Sequence, residues 1–177
     1  MSPSTLVVCY SRTGTTRRAA QAVADALDAP LAELRDTQRR DGLLGYLRCG
    51  FEGTFGRLTA LANPFDNARD FDLVVIGTPV WNASVSSPVR AFLRHHRGRL
   101  RRVAFFLTEG GRGAERVFQQ METEVGRAPV ACLALRESEV HNESCADRFE
   151  HFARGLRPAL EVRIPPPLPK PAIRVRA

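Results

Sequence analysis

Three short, uninterrupted apolar segments most constrain how this chain of 177 residues folds. Residues 5–10, 72–77 and 103–108 are rich in Val, Ile, Leu or Phe, and their apolar side chains do not alternate with polar ones. This pattern is typical of strands in a parallel sheet that is covered on both faces. Residues 31–34 and 130–135 are weaker segments of the same kind. The sequence therefore predicts a buried sheet of parallel strands.

Helical patterns lie between these apolar segments. Residues 15–27 carry apolar side chains at helical spacing, and Ser87 followed by Pro88 is a typical helix start. Residues 113–125 and 143–160 supply two further helical segments, with Asn142 as the expected cap of the last one. Strands and helices thus alternate, which predicts a doubly wound α/β fold. In such folds helices cover both faces, and ligands bind beyond the carboxyl ends of the strands.

Two segments stand outside this alternation. Residues 36–70 separate the second and third strand segments by more than an ordinary loop. We interpret them as an insertion with a short helix and a mobile connection. The proline-rich residues 164–171 can form neither a helix nor an inner strand. The expected organisation is one domain over residues 1–160, followed by an extended tail over residues 161–177.

The basic residues are almost all arginine. Of 26 basic residues 25 are arginine, the one lysine is Lys170, and the formal net charge is +7. Mechanisms that need a lysine in the body of the fold are therefore excluded, such as those of phosphate-loop ATPases and Schiff-base enzymes. The arginine excess fits either genome composition or an anionic partner.

Membrane and metal signals are weak in this sequence. The first apolar run is much shorter than the ~20 residues of a spanning helix, and no basic segment precedes it as in a signal peptide. Four scattered cysteines lack a C-x-x-C pair, which argues against a zinc site and favours reduced thiols. We expect a cytoplasmic protein without a membrane span.

The segment from residue 11 to residue 16 follows the first strand and opens the first helix. It offers four hydroxyls, a glycine and the backbone N–H groups of a helix N-terminus, which together favour an anion such as phosphate. A Walker loop, a Rossmann glycine motif, a low-molecular-weight phosphatase loop and receiver-domain carboxylates are all absent. Without a lysine or a metal ligand, the segment suits binding of a phosphate and not its transfer. The candidate residues are Ser11, Arg12, Thr13, Gly14, Thr15 and Thr16.

Three motifs, each after a strand, resemble those of the flavodoxin family. Ser11-x-Thr13-Gly14-x-Thr16 is similar to the family's S/T-x-T-G-x-T phosphate loop. The run FDLVVIGTPVWNASVSSPVRAFL resembles the strand-three region, and LTEGGRG resembles the T-x-G-G loop after strand four. The resemblance covers about residues 5–160. It implies a three-layer sandwich, a five-stranded parallel sheet in the order 2-1-3-4-5, and one non-covalent FMN.

The same resemblance assigns roles to residues in the second and third loops. Trp81, the only tryptophan, would line or stack on the flavin ring, with a core position as the alternative. Thr108, Gly110 and Gly111 would present backbone N–H groups to the N1/O2 edge of the ring. The implied cofactor-binding residues outside the phosphate loop are Thr78, Pro79, Val80, Trp81, Asn82, Thr108, Glu109, Gly110, Gly111 and Arg112. No catalytic residue and no metal ligand is predicted.

The chain also departs from well-known flavodoxins. Its third loop lacks an aromatic residue, Thr15 stands where the family usually has Asn, and the chain is basic where those proteins are typically acidic. If Arg112 lies near N1/O2, its charge would favour reduced flavin and raise the potential. The alternative is a solvated arginine at a helix start.

Histidines and a basic run complete the candidates. The run over residues 94–102 is either a solvated helix end or a docking patch for an acidic redox partner, anionic lipid or nucleic acid. No interleaved aromatic residues support sequence-specific nucleic-acid binding. We assign structural or surface roles to His141, Cys145 and His151.

Three functions remain open at this point. The first is electron transfer through a bound FMN, with an unidentified redox partner protein. The second is an NAD(P)H- or quinone-dependent FMN oxidoreductase, in which the insertion would shape a substrate pocket or a dimer interface. The third is a flavin-free basic interaction module. The chain would act as a monomer or a homodimer.

Overall fold

The computed structural model describes residues 4–36, 59–142 and 144–161. Most of the predicted insertion and the predicted tail beyond residue 161 lie outside the described residues. The elements in chain order are β1 (Thr5–Cys9), α1 (Thr15–Leu27), β2 (Leu31–Glu33), a 3-10 helix (Asp66–Asp70), β3 (Leu73–Pro79), α2 (Ser87–His95), β4 (Val103–Glu109), α3 (Ala114–Val125), β5 (Cys132–Arg136), α4 (Glu137–His141) and α5 (Ala146–Glu161).

The five strands form one parallel sheet in the order β2-β1-β3-β4-β5. This order confirms the predicted sheet. β3 lies in the middle, where Val75 is opposite Val7 of β1 and Ala104 of β4. Every residue of β3 is buried. The continuous apolar pattern of β3 therefore reflects a strand that is covered on both faces.

Helices cover the two faces of the sheet and divide the core into two clusters. On one face, Val8, Ile76 and Phe105 of the sheet share a buried cluster with Phe92 of α2 and Met121 of α3. The opposite cluster combines sheet residues with residues of α1 and α5; its members include Val7, Val75, Phe106, Val23 and Phe152. The predicted three-layer sandwich is thus confirmed. None of the helices in the described residues has the length and apolar character needed to cross a membrane.

Gly77 allows a close approach at the carboxyl end of β3. A β-carbon at this position would overlap the ring of Phe106 on the neighbouring strand β4. The large Phe106 ring thus fills the space that the absent side chain leaves. This packing fixes β3 against β4 two residues before the end of β3, after which the second loop begins.

The region after β5 differs from its prediction. Residues 137–141 form the separate short helix α4, and Asn142 ends that helix instead of beginning the next one. The backbone N–H of Arg136 donates to Glu139 Oε2 at 2.8 Å, which stabilises the start of this extra helix. The last helix therefore begins at Ala146 and not at residue 143.

Candidate functional site

The loop after β1 leads into a helix start that no side chain caps. Gly14, with φ 97°, is the N-cap of α1, and the first helical hydrogen bond runs from the Arg18 N–H to the Gly14 carbonyl at 2.9 Å. The N–H of Gly14 itself donates to Ser11 Oγ at 3.1 Å. The N–H groups of the first helical turn precede that first helical bond, so they lack intrahelical acceptors. This arrangement is one that binds anions.

The four hydroxyls of this loop divide into two pairs. Thr13 is exposed and Ser11 is half-buried, so both are close to solvent. Thr15 and Thr16 are buried and point to other elements. Thr15 Oγ1 lies 3.2 Å from Nε2 of His141, and Thr16 Oγ1 lies 2.7 Å from Oγ1 of Thr108. Thr15 and Thr16 therefore tie the phosphate-loop candidate to α4 and β4.

The loop after β3 is a tight hairpin over residues 80–85. Val80 and Val85 form an antiparallel bridge. The Trp81 N–H donates to the Ser84 carbonyl at 2.9 Å, and the Ser84 N–H donates to the Trp81 carbonyl at 3.0 Å. The two residues at its tip, Asn82 and Ala83, have φ of 48° and 54°. Two positive φ angles in a two-residue turn are typical of type I′ hairpins.

The side chain of Trp81 in this hairpin is buried. It is 8% exposed and belongs to the core cluster on the α2 and α3 face. The ring packs edge-on against Tyr10 at the end of β1, with ring centroids 5.6 Å apart and an interplanar angle of 89°. Trp81 thus connects the second loop to the first, and its contact with the flavin ring stays a prediction.

Thr78 forms hydrogen bonds to the two residues that flank the same hairpin, Pro79 and Ser86. Its hydroxyl donates to the Pro79 carbonyl at 2.9 Å and lies 3.0 Å from the hydroxyl of Ser86. The backbone N–H of Ser86 donates to Thr78 Oγ1 at 3.2 Å. All three residues are buried. The Thr78 side chain is therefore used inside the protein and does not face solvent.

The loop after β4 is open at its two glycines. Gly110 and Gly111 are exposed, and a β-carbon on either would meet no atom within 4 Å. Beside them, Glu109 Oε2 is buried and has no hydrogen-bond partner among the described residues. A buried carboxylate oxygen without a partner is unfavourable unless a ligand supplies a donor.

Three contacts bring the loops after β1, β3 and β4 together at the carboxyl edge of the sheet. Thr16 joins the first loop to Thr108 at the end of β4. The Val80 N–H donates to the Thr108 carbonyl at 2.9 Å. Gly113, with φ 123°, lies so close to the hairpin that its β-carbon would be 3.1 Å from that of Ala83. The three predicted binding segments therefore form one continuous region.

Several exposed side chains next to the three loops are cationic. They include Arg12, Arg17, Arg18, Arg112 and Arg116, with Glu115 as an exposed acidic neighbour. Arg17 lies 3.5 Å from Glu33; the Arg17 side chain is well exposed and that of Glu33 is partly exposed, so this pair contributes little stability. Cys9 lies at the end of β1, but burial raises the pKa of its thiol to about 12. It is therefore protonated at neutral pH and is a poor nucleophile.

The structure also places the other sequence candidates. His141 contacts the phosphate-loop candidate through Thr15, which the sequence analysis missed. The signal was its position shortly after β5, because the carboxyl ends of parallel strands meet at one edge. His151 is exposed and Cys145 is buried, and no group of three metal-binding side chains occurs within the described residues.

The basic run over residues 94–102 is largely held by intramolecular contacts. Arg94 pairs with Glu124, His95 with Asp66, and Arg101 with Asp72. Arg97 donates to the carbonyl oxygens of Thr123 and Glu124 at the end of α3. The sequence suggested a solvated helix end or a docking patch; in the structure, several side chains of the run instead bond to neighbouring elements.

Comparison of the sequence with models of protein families identifies a family for this chain. The model of the family described as NADPH-dependent FMN reductase matches residues 5–142. The chain belongs to this family. Together with the strand order, this membership confirms the predicted flavodoxin-like resemblance and FMN as the cofactor that it implied.

Solved structures support the same fold. A putative flavoprotein from Bacteroides uniformis is 23% identical with a TM-score of 0.68, and covers 81% of this chain and 99% of its own. A flavoprotein from Lactobacillus acidophilus, solved in complex with FMN, is 22% identical with a TM-score of 0.64 over the same shares. Oxidised flavodoxin 2 from Bacillus cereus is 16% identical with a TM-score of 0.56, and covers 88% of this chain and 98% of its own. No curated protein sequence matches this chain significantly.

Proposed function

We propose that this chain is an NAD(P)H-dependent oxidoreductase that acts through one non-covalently bound FMN. The observation that carries the proposal is the meeting of three loops at one edge of the sheet. They combine an uncapped helix start, a tryptophan hairpin and an open pair of glycines. Membership of a family described as NADPH-dependent FMN reductase supports the same assignment.

The residues present suit an FMN. The first turn of α1 would hold the phosphate through backbone N–H groups, with Ser11 and Thr13 as further donors. The open space at Gly110 and Gly111 would admit a flat ring close to the backbone. The partnerless Glu109 Oε2 would accept a hydrogen bond that no described residue supplies. When bound, FMN accepts hydride and releases electrons singly or in pairs.

Exposed arginines next to the three loops favour a negatively charged reductant. Arg12, Arg17, Arg18, Arg112 and Arg116 create a positive field that attracts a phosphate-rich dinucleotide and raises its association rate. The loops would orient the cofactor and shield one side of it. The protonated Cys9 would not act as a nucleophile. The residues of the chain would bind and orient FMN, and the cofactor would supply the hydride chemistry.

The test is a flavin titration followed by anaerobic mixing with NADPH and, separately, with NADH. We expect the protein to take up FMN with the visible bands of bound flavin, and to be reduced by NADPH without another protein. Thr13→Val should weaken FMN binding, whereas Thr123→Val on α3 serves as a matched control because it lies away from the three loops. A protein that stays colourless after FMN addition would overturn the proposal and favour the flavin-free interaction module.

The second candidate is an electron carrier that receives its electrons from another protein. The exposed arginines next to the three loops favour an electron carrier, because they also suit docking to an acidic redox partner. The two candidates differ in one measurement. An FMN-loaded protein that NADPH alone does not reduce, but that an added reductase does, would be a carrier.

A further inference from the structure

A polar network joins the tryptophan hairpin, residues 80–85, to the two helices behind it. Gln120 on α3 accepts two hydrogen bonds at its Oε1, from Ser84 Oγ at 2.9 Å and from the Val85 N–H at 3.1 Å. Arg90 on α2 donates from Nη2 to the same Ser84 Oγ at 2.9 Å. One side of the hairpin thus donates two hydrogen bonds and accepts one, with partners 6 to 36 positions away in the sequence.

Glu124 holds Arg90 in place. Arg90 Nη1 donates to Glu124 Oε1 at 2.8 Å, and Arg94 Nε donates to Glu124 Oε2 at 2.5 Å. Arg90 is 7% exposed and Glu124 is 8% exposed. Burial raises the pKa of Glu124, but the hydrogen bonds from Arg94 and Arg90 outweigh it, and the net pKa lies below its usual value. The carboxyl group is therefore ionised at neutral pH.

Stability alone does not explain this network. A buried ion pair is often no more stabilising than apolar residues of the same size. Here Arg90 Nε is buried without a partner among the described residues, which is a further unfavourable term. The hairpin also has Ala83 at φ 54°, a conformation that costs a non-glycine residue about 1 kcal/mol or more. The Arg90 Nε without a partner in the described part of the chain and the positive φ of Ala83 are both unfavourable, so the surrounding structure must stabilise the hairpin in this conformation.

We propose that Gln120, Arg90 and Glu124 are positioning residues that hold the Trp81 hairpin in the conformation that binds FMN. The proposal rests on the proposed function, since it concerns the same site. Its physical basis is a population effect. When only a fraction of the protein is in the binding-competent conformation, the apparent dissociation constant is the intrinsic one divided by that fraction. Without these hydrogen bonds, the hairpin would have to be ordered when FMN binds, and this ordering would weaken the affinity.

Trp81 makes the hairpin directly observable. It is the only tryptophan, so the intrinsic tryptophan fluorescence of the cofactor-free protein reports this hairpin alone. The variant Gln120→Ala removes the shared acceptor. Its matched control is Gln119→Ala, the exposed neighbour on the same helix, whose side chain is not in the network. Gln120→Glu restores an acceptor oxygen and is the rescue variant.

We expect the emission of Gln120→Ala to shift to longer wavelength and to be quenched more strongly by acrylamide, with Gln119→Ala unchanged. We expect its FMN dissociation constant to rise about tenfold, which corresponds to a competent fraction of about one tenth. Gln120→Glu should restore both values. If Gln120→Ala does not fold, Ser84→Ala removes the contact from the hairpin side and should give the same two changes.

The results separate this proposal from the proposed function. Unchanged emission, quenching and FMN affinity in Gln120→Ala or Ser84→Ala would overturn the positioning role while leaving FMN binding intact. A wild-type protein that takes up no FMN would overturn the proposed function and the link between hairpin and cofactor. A red shift in the cofactor-free Gln120→Ala protein would still support the anchoring of the hairpin by α3.

Discussion

The hydroxyl of Thr16 lies 2.7 Å from that of Thr108, and both side chains are buried. This contact joins the first turn of α1 to the end of β4, two segments that are 92 residues apart. The sequence resemblance placed both residues at the cofactor. In the structure their hydroxyls bond to each other, so at least one of the two O–H groups is engaged inside the protein.

Replacing either threonine by valine should destabilise the protein because the other hydroxyl loses its partner inside the core. We expect Thr16→Val and Thr108→Val each to lower the free energy of unfolding by about 1–3 kcal/mol. The double variant should lose clearly less than the sum, since no unpaired hydroxyl remains. Urea unfolding of the four proteins measures the coupling. Strictly additive losses would show that the contact carries no energy.

Gly113→Ala should disturb the contact between the third loop and the hairpin. Gly113 has φ 123°, and a β-carbon there would lie 3.1 Å from that of Ala83. Backbone strain and crowding together predict a loss of about 2–4 kcal/mol in unfolding free energy, and weaker FMN binding. Gly98→Ala is the matched control: φ is +68°, but no atom lies within 4 Å of its β-carbon. It should show the strain alone, with FMN affinity retained. Equal FMN affinities of the two variants would contradict this prediction.

His96 should make the protein less stable in mildly acidic solution. Its ring is 1% exposed, and its Nε2 donates to the Pro64 carbonyl at 3.0 Å. Burial lowers its pKa below the usual 6.5, and the hydrogen bond to Pro64 opposes this shift only in part. Below pH 6.5 the unfolded chain therefore takes up a proton that the folded protein refuses. Stability is lost as the pH falls from 6.5 towards the folded pKa, and is unaffected above 6.5.

His96→Gln keeps a side-chain N–H donor but does not titrate. We expect the wild type to lose about 1 kcal/mol more than this variant between a neutral and a mildly acidic buffer, by urea unfolding. Parallel pH profiles for the two proteins would show that another group causes the acid sensitivity.

The sheet could be predicted from the sequence because its central strands carry an unusual local signal. A run such as residues 72–77, apolar on both faces, fits few structures other than a covered parallel strand. β2 gave a weaker signal because it is an edge strand of three residues. The loops could be located because each follows a strand, and the strand order then brings them to one edge.

The use of individual side chains could not be predicted in this way. Arg90 and Glu124 are 34 residues apart, and their pairing depends on how α2 packs against α3. Nothing in the Asn82-Ala83 sequence favours two left-handed residues as strongly as glycine would, so the hairpin depends on its surroundings. The burial of Trp81 likewise depends on Tyr10, whose partner the sequence does not reveal.

Arg112 is the arginine expected to influence the flavin potential most, because it directly follows the open glycines Gly110 and Gly111. A positive charge near the ring stabilises reduced FMN, which is more negative than oxidised FMN, and so raises the potential. We expect Arg112→Ala to lower the midpoint potential by about 20–40 mV, where about 30 mV corresponds to about 1.4 kcal/mol for a two-electron couple. Arg116→Ala, on another exposed arginine in the first turn of α3, should shift it less. Spectroelectrochemical titration at low salt measures both, because salt screens exposed charges. An unchanged potential in Arg112→Ala would mean that this arginine is only a solvated residue before the start of α3.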